Sequence, residues 1–395
     1  MILRRFPPMG VYETLFKFAD ATGQYMGDSG THPWAQGYPL TTQIPGGPSL
    51  PTSVEVGHLD LKYPKATGEP PLLTAIVDYY NRFYDAGITT DNVAVFAGGR
   101  PAIFATLAFL LEDTAIAVES TEYTPYYDML NVLGRQVHLI PSRSDNRFRP
   151  SVEQYEIAPG DGARRFMLVK SNPCNPTGVA LGGSALKQLI DMFSRSESGA
   201  LIDEAYEFYC HPEPDSALRY IEDIDQTNIF VIGAATKGLQ VPGMRIGWAV
   251  AAKEHIEIFR NYSSFGMGGV SRASQLYVTE LLALERVTQA RSAIGKYYSE
   301  QRSRYAEGLA ALGFELFTGT GGFYHWGRVP GGLTGDELNE RLFRHGAGIL
   351  PGRLCDMARS AGKTSELDDF VRFSFGPLQA DSYHQDMQIL STCLA

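Results

Sequence analysis

The chain is poor in cysteine: Cys174, Cys210, Cys355 and Cys393 are its only four, spread through 395 residues without a CxxC pair. That scarcity argues against a disulfide-stapled scaffold or a thiolate zinc site, and it fits a reducing, cytoplasmic setting. No apolar run approaches the ~20 residues needed to span a bilayer. The opening MILRRFPPMGVYE has two arginines but no apolar stretch behind them, so it lacks the pattern of a secretory signal. Positive charge is in deficit as well: Lys and Arg number 34 against 44 Asp and Glu, a formal net charge of −10. Such a field repels polyphosphate and anionic lipid. No nucleic-acid or membrane partner is therefore expected, and any anion site must be local. Internal repeats and low-complexity tracts are also missing.

What remains is an ordinary globular composition, 44% hydrophobic and 20% charged, on a chain long enough for two domains. The first fifty residues, with GDSGTHPWAQGYPLTTQIPGGPSLP, read as an extended arm laid over the rest. From Pro71, LLTAIVDYYNRFYDAG has apolar residues at helical spacing and stops at Gly87. Short apolar runs then alternate with helical stretches: VAVFAGG, TAIAVES, QVHLIP, FMLVKSNP, GALIDEAY, NIFVIGAAT and RIGWAVAA. That alternation predicts an α/β fold, a mostly parallel sheet between helices, with functional groups on loops beyond the strand ends. After about Asn261, long helical patterns give way to short strands in FELFTGTGGFYHWGRV, a helix in LTGDELNERLFRHG, and strands in GILPG and VRFSFG. These predict a smaller α+β domain. The expected division is 1–49 as arm and part of the small domain, 50–285 as the large domain, and 286–395 as the small domain.

Five segments carry chemistry. In AATKGLQVPGMRIG, Lys237 follows an apolar run and Arg245 comes eight residues later. A lysine at a strand end, its charge destabilised by burial or cations, is a nucleophile toward an aldehyde, while an arginine forks onto phosphate; the alternative is a solvated loop lysine and a salt-bridged arginine. AGGRPAIFATLAFLL opens a helix with a glycine pair and Pro101, leaving the amides of Gly99 and Arg100 free to cradle an anion. SNPCNPTG places two Asn-Pro steps in six residues, and the residue before each proline avoids the helical region, which fixes Asn175 at a strand end. LIDEAYEFY ends a buried strand at Asp203, a carboxylate that is costly there unless it meets a cation or caps the next helix. VRFSFG sets Arg372 on an apolar strand, either as a core ion pair or as a fork for a substrate carboxylate.

Together these segments resemble the fold-type I pyridoxal-phosphate enzymes, in particular the class I/II aminotransferases. SNPCNPTG is similar to that family's NPxNPTG, DEAY to its DExY, and TKGLQVPGMRIG to its SKxxxxxGxRxG. They occur in the family's order, and the resemblance covers roughly Pro48 to Gly376. By the resemblance, Lys237 would bond to the cofactor as an aldimine and act as general acid/base. Asp203 would pair with the ring nitrogen, and Asn175 and Tyr206 would hydrogen-bond the ring's phenolic oxygen. Arg245, Thr236 and the Gly99–Arg100 amides would hold the phosphate. Tyr123 would stack on the ring, with Tyr126 and Tyr127 as alternatives. Tyr63 matches a tyrosine that reaches the neighbouring subunit's phosphate, which implies a homodimer with shared sites. Arg372 and Asn175 would bind the substrate, and GGFYHW and ILPG match small-domain strands that help close the site.

The implied function is transfer of an amino group from an amino acid to a 2-oxo acid. The same residues also serve elimination, cyclisation, decarboxylation or oxidation, which branch after the first deprotonation. Many relatives carry a phosphate-binding serine where this chain has Ala234, and Arg100 after the glycine pair is a second departure. Specificity in the fold comes from the arm and the partner, here offering Tyr25, His32 and Trp34, with Trp34 as the expected substrate contact. Arg272 either meets an acidic side chain or pairs at a helix start. Ser271 is expected to face the partner's phosphate.

Overall fold

A computed structural model describes residues 2, 3, 6, 10–156, 165–195, 197–360 and 362–395. The arginines of the opening segment, Arg4 and Arg5, lie outside the described residues. Each of the seven apolar runs forms a strand: β1 (Val93–Phe96), β2 (Thr114–Glu119), β3 (Val137–Ile140), β4 (Arg165–Ser171), β5 (Ser198–Asp203), β6 (Ile229–Ala234) and β7 (Gly247–Val250). They join one sheet in the order β1-β7-β6-β5-β4-β2-β3. Strands β3, β2, β4, β5 and β6 run parallel, whereas β7 is antiparallel to both β6 and β1.

Because successive side chains on a strand point to opposite faces, each central strand feeds two cores. Leu168, Ile202 and Val231 face one, packed under α2 (Pro70–Tyr84), α5 (Gly183–Phe193) and α7 (Arg272–Leu281). Their neighbours Val169, Leu201 and Ile232 face the other, under α3 (Gly99–Ala108), α4 (Thr124–Leu133) and α6 (Lys253–Tyr262). Burial on both faces explains the continuous apolar runs. The register aligns Ser171 with Asp203, and Gly247 with both Ala234 and Phe96. The polar residues that follow these strands therefore emerge along one edge of the sheet.

A second, antiparallel sheet has the order β10-β11-β9-β8, from β8 (Glu315–Leu316), β9 (Tyr324–Arg328), β10 (Leu350–Pro351) and β11 (Phe370–Ser374). Helices α9 (Gly335–Leu342) and α10 (Tyr383–Leu394) accompany it. Between the sheets runs α8 (Leu284–Ala311), 28 residues or ~42 Å at 1.5 Å per residue, which buries Val287, Ile294, Tyr298 and Tyr305 along its length.

The first fifty residues are not extended throughout. Val11–Thr22 forms helix α1, which buries Phe18 and rests Val11 and Leu15 on a cluster with Leu350 and Phe370 of the small sheet. It ends at Gly23, whose left-handed φ of 72° lets its N–H reach Ala19 O at 2.8 Å. The glycines and prolines that suggest an extended arm lie beyond this helix. Among the described residues no helix is long and apolar enough to cross a membrane.

Candidate active site

The loops after β1, β4, β5 and β6 converge on a cavity of about 320 Å³. Gly99, Arg100, Asn175 and Asp203 line it, as do Tyr123, Tyr206, Thr236, Lys237 and Arg245. Nine of the twelve residues expected at the site thus meet around one space.

Lys237 stands on the turn leaving β6. Its carbonyl accepts from Gln240 N at 2.9 Å and from Tyr209 Oη at 2.8 Å, which fixes the turn. Its Nζ donates to the carbonyl of Gly37 and lies 5.7 Å from the centre of the Tyr206 ring. Burial, then the Arg100 and Arg372 guanidiniums, pull the amine down to about 7, with Arg245 adding to them and Asp203 opposing. A lysine in this state is substantially neutral near pH 7 and nucleophilic.

The anion cradle depends on two glycines. Gly98 precedes α3 at φ 104°, a conformation side chains rarely adopt, and a Cβ there would lie 2.5 Å from Arg245 Nη2. A Cβ on Gly247 would lie 2.4 Å from the Gly98 carbonyl carbon and the Gly99 nitrogen. Arg245 is itself left-handed, φ 56°, and bonds Pro242 O at 2.9 Å and Ala97 O at 3.3 Å. Its guanidinium is thereby held beside the N-terminus of α3, where backbone N–H groups and the helix dipole favour an anion.

Asp203 is buried at the end of β5, accepting from Tyr126 Oη at 3.0 Å and Ala205 N at 3.1 Å. Burial still raises its pKa, against those two donors and Lys237. The carboxylate thus remains short of a close cation. This geometry also sorts the three tyrosines at the start of α4, Tyr123 being its N-cap. Tyr126 is buried on Asp203, Tyr127 donates to Arg359 O at 2.6 Å, and Tyr123 faces the cavity.

Asn175, its N–H held by Ser171 Oγ at 3.0 Å, contacts Tyr206 Oη at 3.4 Å through Nδ2 and receives Arg372 Nη1 on Oδ1 at 2.9 Å. Arg372 comes from β11 of the small sheet. Its Nη2 donates to Ala35 O at 2.7 Å, while its Nε is buried without a partner.

Two expected residues are elsewhere. Trp34 is not a cavity residue: its indole is fully buried, donating to Asp386 Oδ1 at 3.2 Å and packing 5.3 Å from Phe373. The arm presents backbone carbonyls to Arg372 and Lys237, and the large side chain turns into the core. Tyr63 is 93% exposed, away from this chain's own cavity. Of the other arm candidates, Tyr25 is exposed and His32 bonds Asp386 at 2.7 Å. Arg272 pairs with Asp60 at 3.3 Å and Glu69 at 3.5 Å, and Ser271 caps α7 by accepting Ser274 N at 3.3 Å.

Sequence reasoning missed Tyr324 and Tyr12. Tyr324 bonds Tyr206 hydroxyl to hydroxyl at 2.5 Å, with the Arg372 guanidinium 4.2 Å from its ring centre. It lies in the GGFYHW segment already noted, so position within that motif was the available signal. Tyr12 reaches the cavity from α1, the helix obscured by its surroundings in sequence.

Comparison with known proteins gives a family and a fold. The family model described as "Aminotransferase class I and II" matches residues 23–379. The chain is 25% identical to an aspartate aminotransferase of Pyrococcus horikoshii over 295 residues, 73% of this chain and 74% of the relative. It is 28% identical to an LL-diaminopimelate aminotransferase of Azobacteroides pseudotrichonymphae over 278 residues, 66% of this chain and 67% of the relative. Its fold superposes on the Thermus thermophilus aspartate aminotransferase solved with maleate at a TM-score of 0.81 and 20% identity, covering 99% of this chain and 100% of that one.

Proposed function

The chain belongs to the class I and II aminotransferases, a pyridoxal-phosphate-dependent family of fold type I, and we propose that Lys237 is its cofactor attachment point and proton carrier. The observation that carries this reading is the Lys237 amine, lowered to about 7 in a cavity shared with Arg100, Arg245 and Asp203.

The residues fit the cofactor. Gly98 and Gly247 leave an anion cradle that a Cβ would fill, and Asp203 is a buried carboxylate without a close cation. Arg372 keeps a buried Nε unpartnered. Bound pyridoxal phosphate supplies a ring that holds the substrate amine covalently and spreads the charge left by a removed α-proton. Asp203 would keep the ring nitrogen protonated, and Asn175 and Tyr206 would hydrogen-bond the ring oxygen. Tyr123 would cover the ring; Arg245, Thr236 and the Gly99–Arg100 amides would take the phosphate. Arg372 forks onto the substrate's α-carboxylate. Lys237 Nζ would move the α-proton as general base and then general acid.

The substrates are accordingly an amino acid and a 2-oxo acid. The exposed apolar run of Val56, Leu59, Leu61 and Tyr63 supports a homodimer in which Tyr63 serves the partner's site. The four free cysteines fit a cytoplasmic setting.

The test is a half-reaction. Purified holoenzyme is mixed with single amino acids, without oxo acid, while its absorbance and the product masses are followed. Stoichiometric loss of the visible band, restored by a 2-oxo acid, is the expected result. Continued turnover without an oxo acid would overturn transamination in favour of elimination, cyclisation, decarboxylation or oxidation.

A further inference from the structure

Arg100 has donors that its surroundings do not use. Its Nε donates to Tyr123 Oη at 2.7 Å, and its guanidinium carbon lies 5.8 Å from the centre of that ring. Neither Nη has a partner among the described residues. The side chain is thus anchored at one nitrogen, with a two-pronged donor left over at the rim of the cavity. Arg100 is also the second residue of α3, immediately beyond the glycine whose amide opens the anion cradle.

The turn after β6 brings Thr236 to the cavity but no second hydroxyl. Ala234 ends β6 with a methyl group, and a Cβ built on Gly99 would lie 3.7 Å from it. A hydroxyl there would face the first turn of α3; a methyl offers nothing. Arg245, the other cation of the cradle, already gives Nη1 to Pro242 O and Nη2 to Ala97 O. A phosphate dianion bound here therefore meets one partly committed guanidinium unless Arg100 joins it.

Charge balance points the same way. Arg100, Arg245, Asp203 and Lys237 line the cavity, and Arg372 reaches its wall through Asn175 at 2.9 Å. A protonated ring nitrogen offsets Asp203, and Arg372 takes a substrate α-carboxylate. Two guanidiniums then remain for the two charges of the phosphate. Assigning Arg100 to a second substrate carboxylate would leave the dianion with Arg245 as its one guanidinium.

We propose that the Arg100 guanidinium binds the cofactor's phosphate beside Arg245, supplying in this chain the donors that Ala234 lacks. The proposal rests on the reading of the cavity as a pyridoxal-phosphate site.

Equilibrium binding to the cofactor-free protein tests it, with pyridoxal 5′-phosphate and the phosphate-free pyridoxal as separate probes. Arg100→Ala should weaken pyridoxal phosphate by roughly 10- to 100-fold, the worth of charged hydrogen bonds. Pyridoxal affinity should fall by much less, reflecting only the loss of the Arg100 anchor on Tyr123. Ala234→Ser should restore part of the loss in the Arg100→Ala background and change little in the wild-type chain. Unchanged pyridoxal phosphate affinity, with a raised KM for amino acid, would move Arg100 to the substrate and overturn the assignment. Equal weakening of both probes would overturn it too, because the effect would not pass through the phosphate. A wild-type protein that binds neither probe would instead sink the functional reading on which the proposal stands.

Discussion

Arg372 of the small sheet donates through Nη1 to Oδ1 of Asn175, on the loop leaving β4 of the large sheet, at 2.9 Å. The bond joins the two sheets at the point where a substrate carboxylate is proposed to sit, and it orients the guanidinium without neutralising it. Asn175→Asp would place a carboxylate against the fork and compete with substrate. KM for the amino acid should then rise on the order of a hundredfold, and by more than in Asn175→Ala. Steady-state kinetics at neutral pH decides the matter; equal KM values for the two variants would place the substrate carboxylate elsewhere.

The lowered pKa of Lys237 predicts a pH midpoint. An amine at about 7 becomes neutral as pH rises through that value, whereas an unperturbed lysine does so near 10.5. Capture of pyridoxal by cofactor-free protein, trapped with borohydride, should therefore rise through about pH 7. Removing a neighbouring cation by Arg372→Ala should shift the midpoint upward. A wild-type midpoint near 10 would mean that the amine is solvated.

Gly247 is expected to be intolerant of a single methyl. Its Cβ would lie 2.4 Å from backbone atoms of Gly98 and Gly99, which cannot swing aside as a flexible side chain does. Gly247→Ala should cost roughly 1–3 kcal/mol in unfolding free energy and weaken cofactor binding as well. Gly243, with nothing within 4 Å of its built Cβ, is the control, and Gly243→Ala should stay within about 0.5 kcal/mol. Denaturant titration of the two variants makes the comparison, and equal midpoints would refute the close approach.

Glu122, buried beside the site, predicts a pH-dependent stability. It accepts from Tyr123 N at 2.8 Å, from Ser171 N at 3.2 Å and from the Ser171 hydroxyl. Burial and then Glu119 push its carboxyl from 4.5 up to about 8, against Lys170. A carboxyl raised on folding binds its proton more tightly in the folded state. Its contribution is therefore present in full below pH 4.5 and is lost as pH rises through about 8. Glu122→Gln keeps the shape and an acceptor without the titration. The variant should lose less Tm than wild type between pH 6 and pH 9; parallel losses would show that Glu122 is already ionised at neutral pH.

Much of this architecture was legible in sequence because it rests on local patterns. Strands buried on both faces are continuous apolar runs, and the groups needed at their ends (Lys237, Asp203, Asn175) follow those runs directly. Glycine pairs mark close approach, as at Gly98 and Gly99. Helix α1 escaped because its amphipathic turns precede a stretch rich in glycine and proline, whose composition dominated the reading. Tertiary packing alone chose among Tyr123, Tyr126 and Tyr127, since helical rotation sends each in a different direction. It also turned Trp34 inward to Asp386 and brought arm carbonyls to Lys237 and Arg372. The contacts that complete the site join residues 200 apart, as in Lys237 and Gly37, or 197 apart, as in Arg372 and Asn175. Periodicity carries no information over such separations; the meeting of the two sheets along α8 decides them.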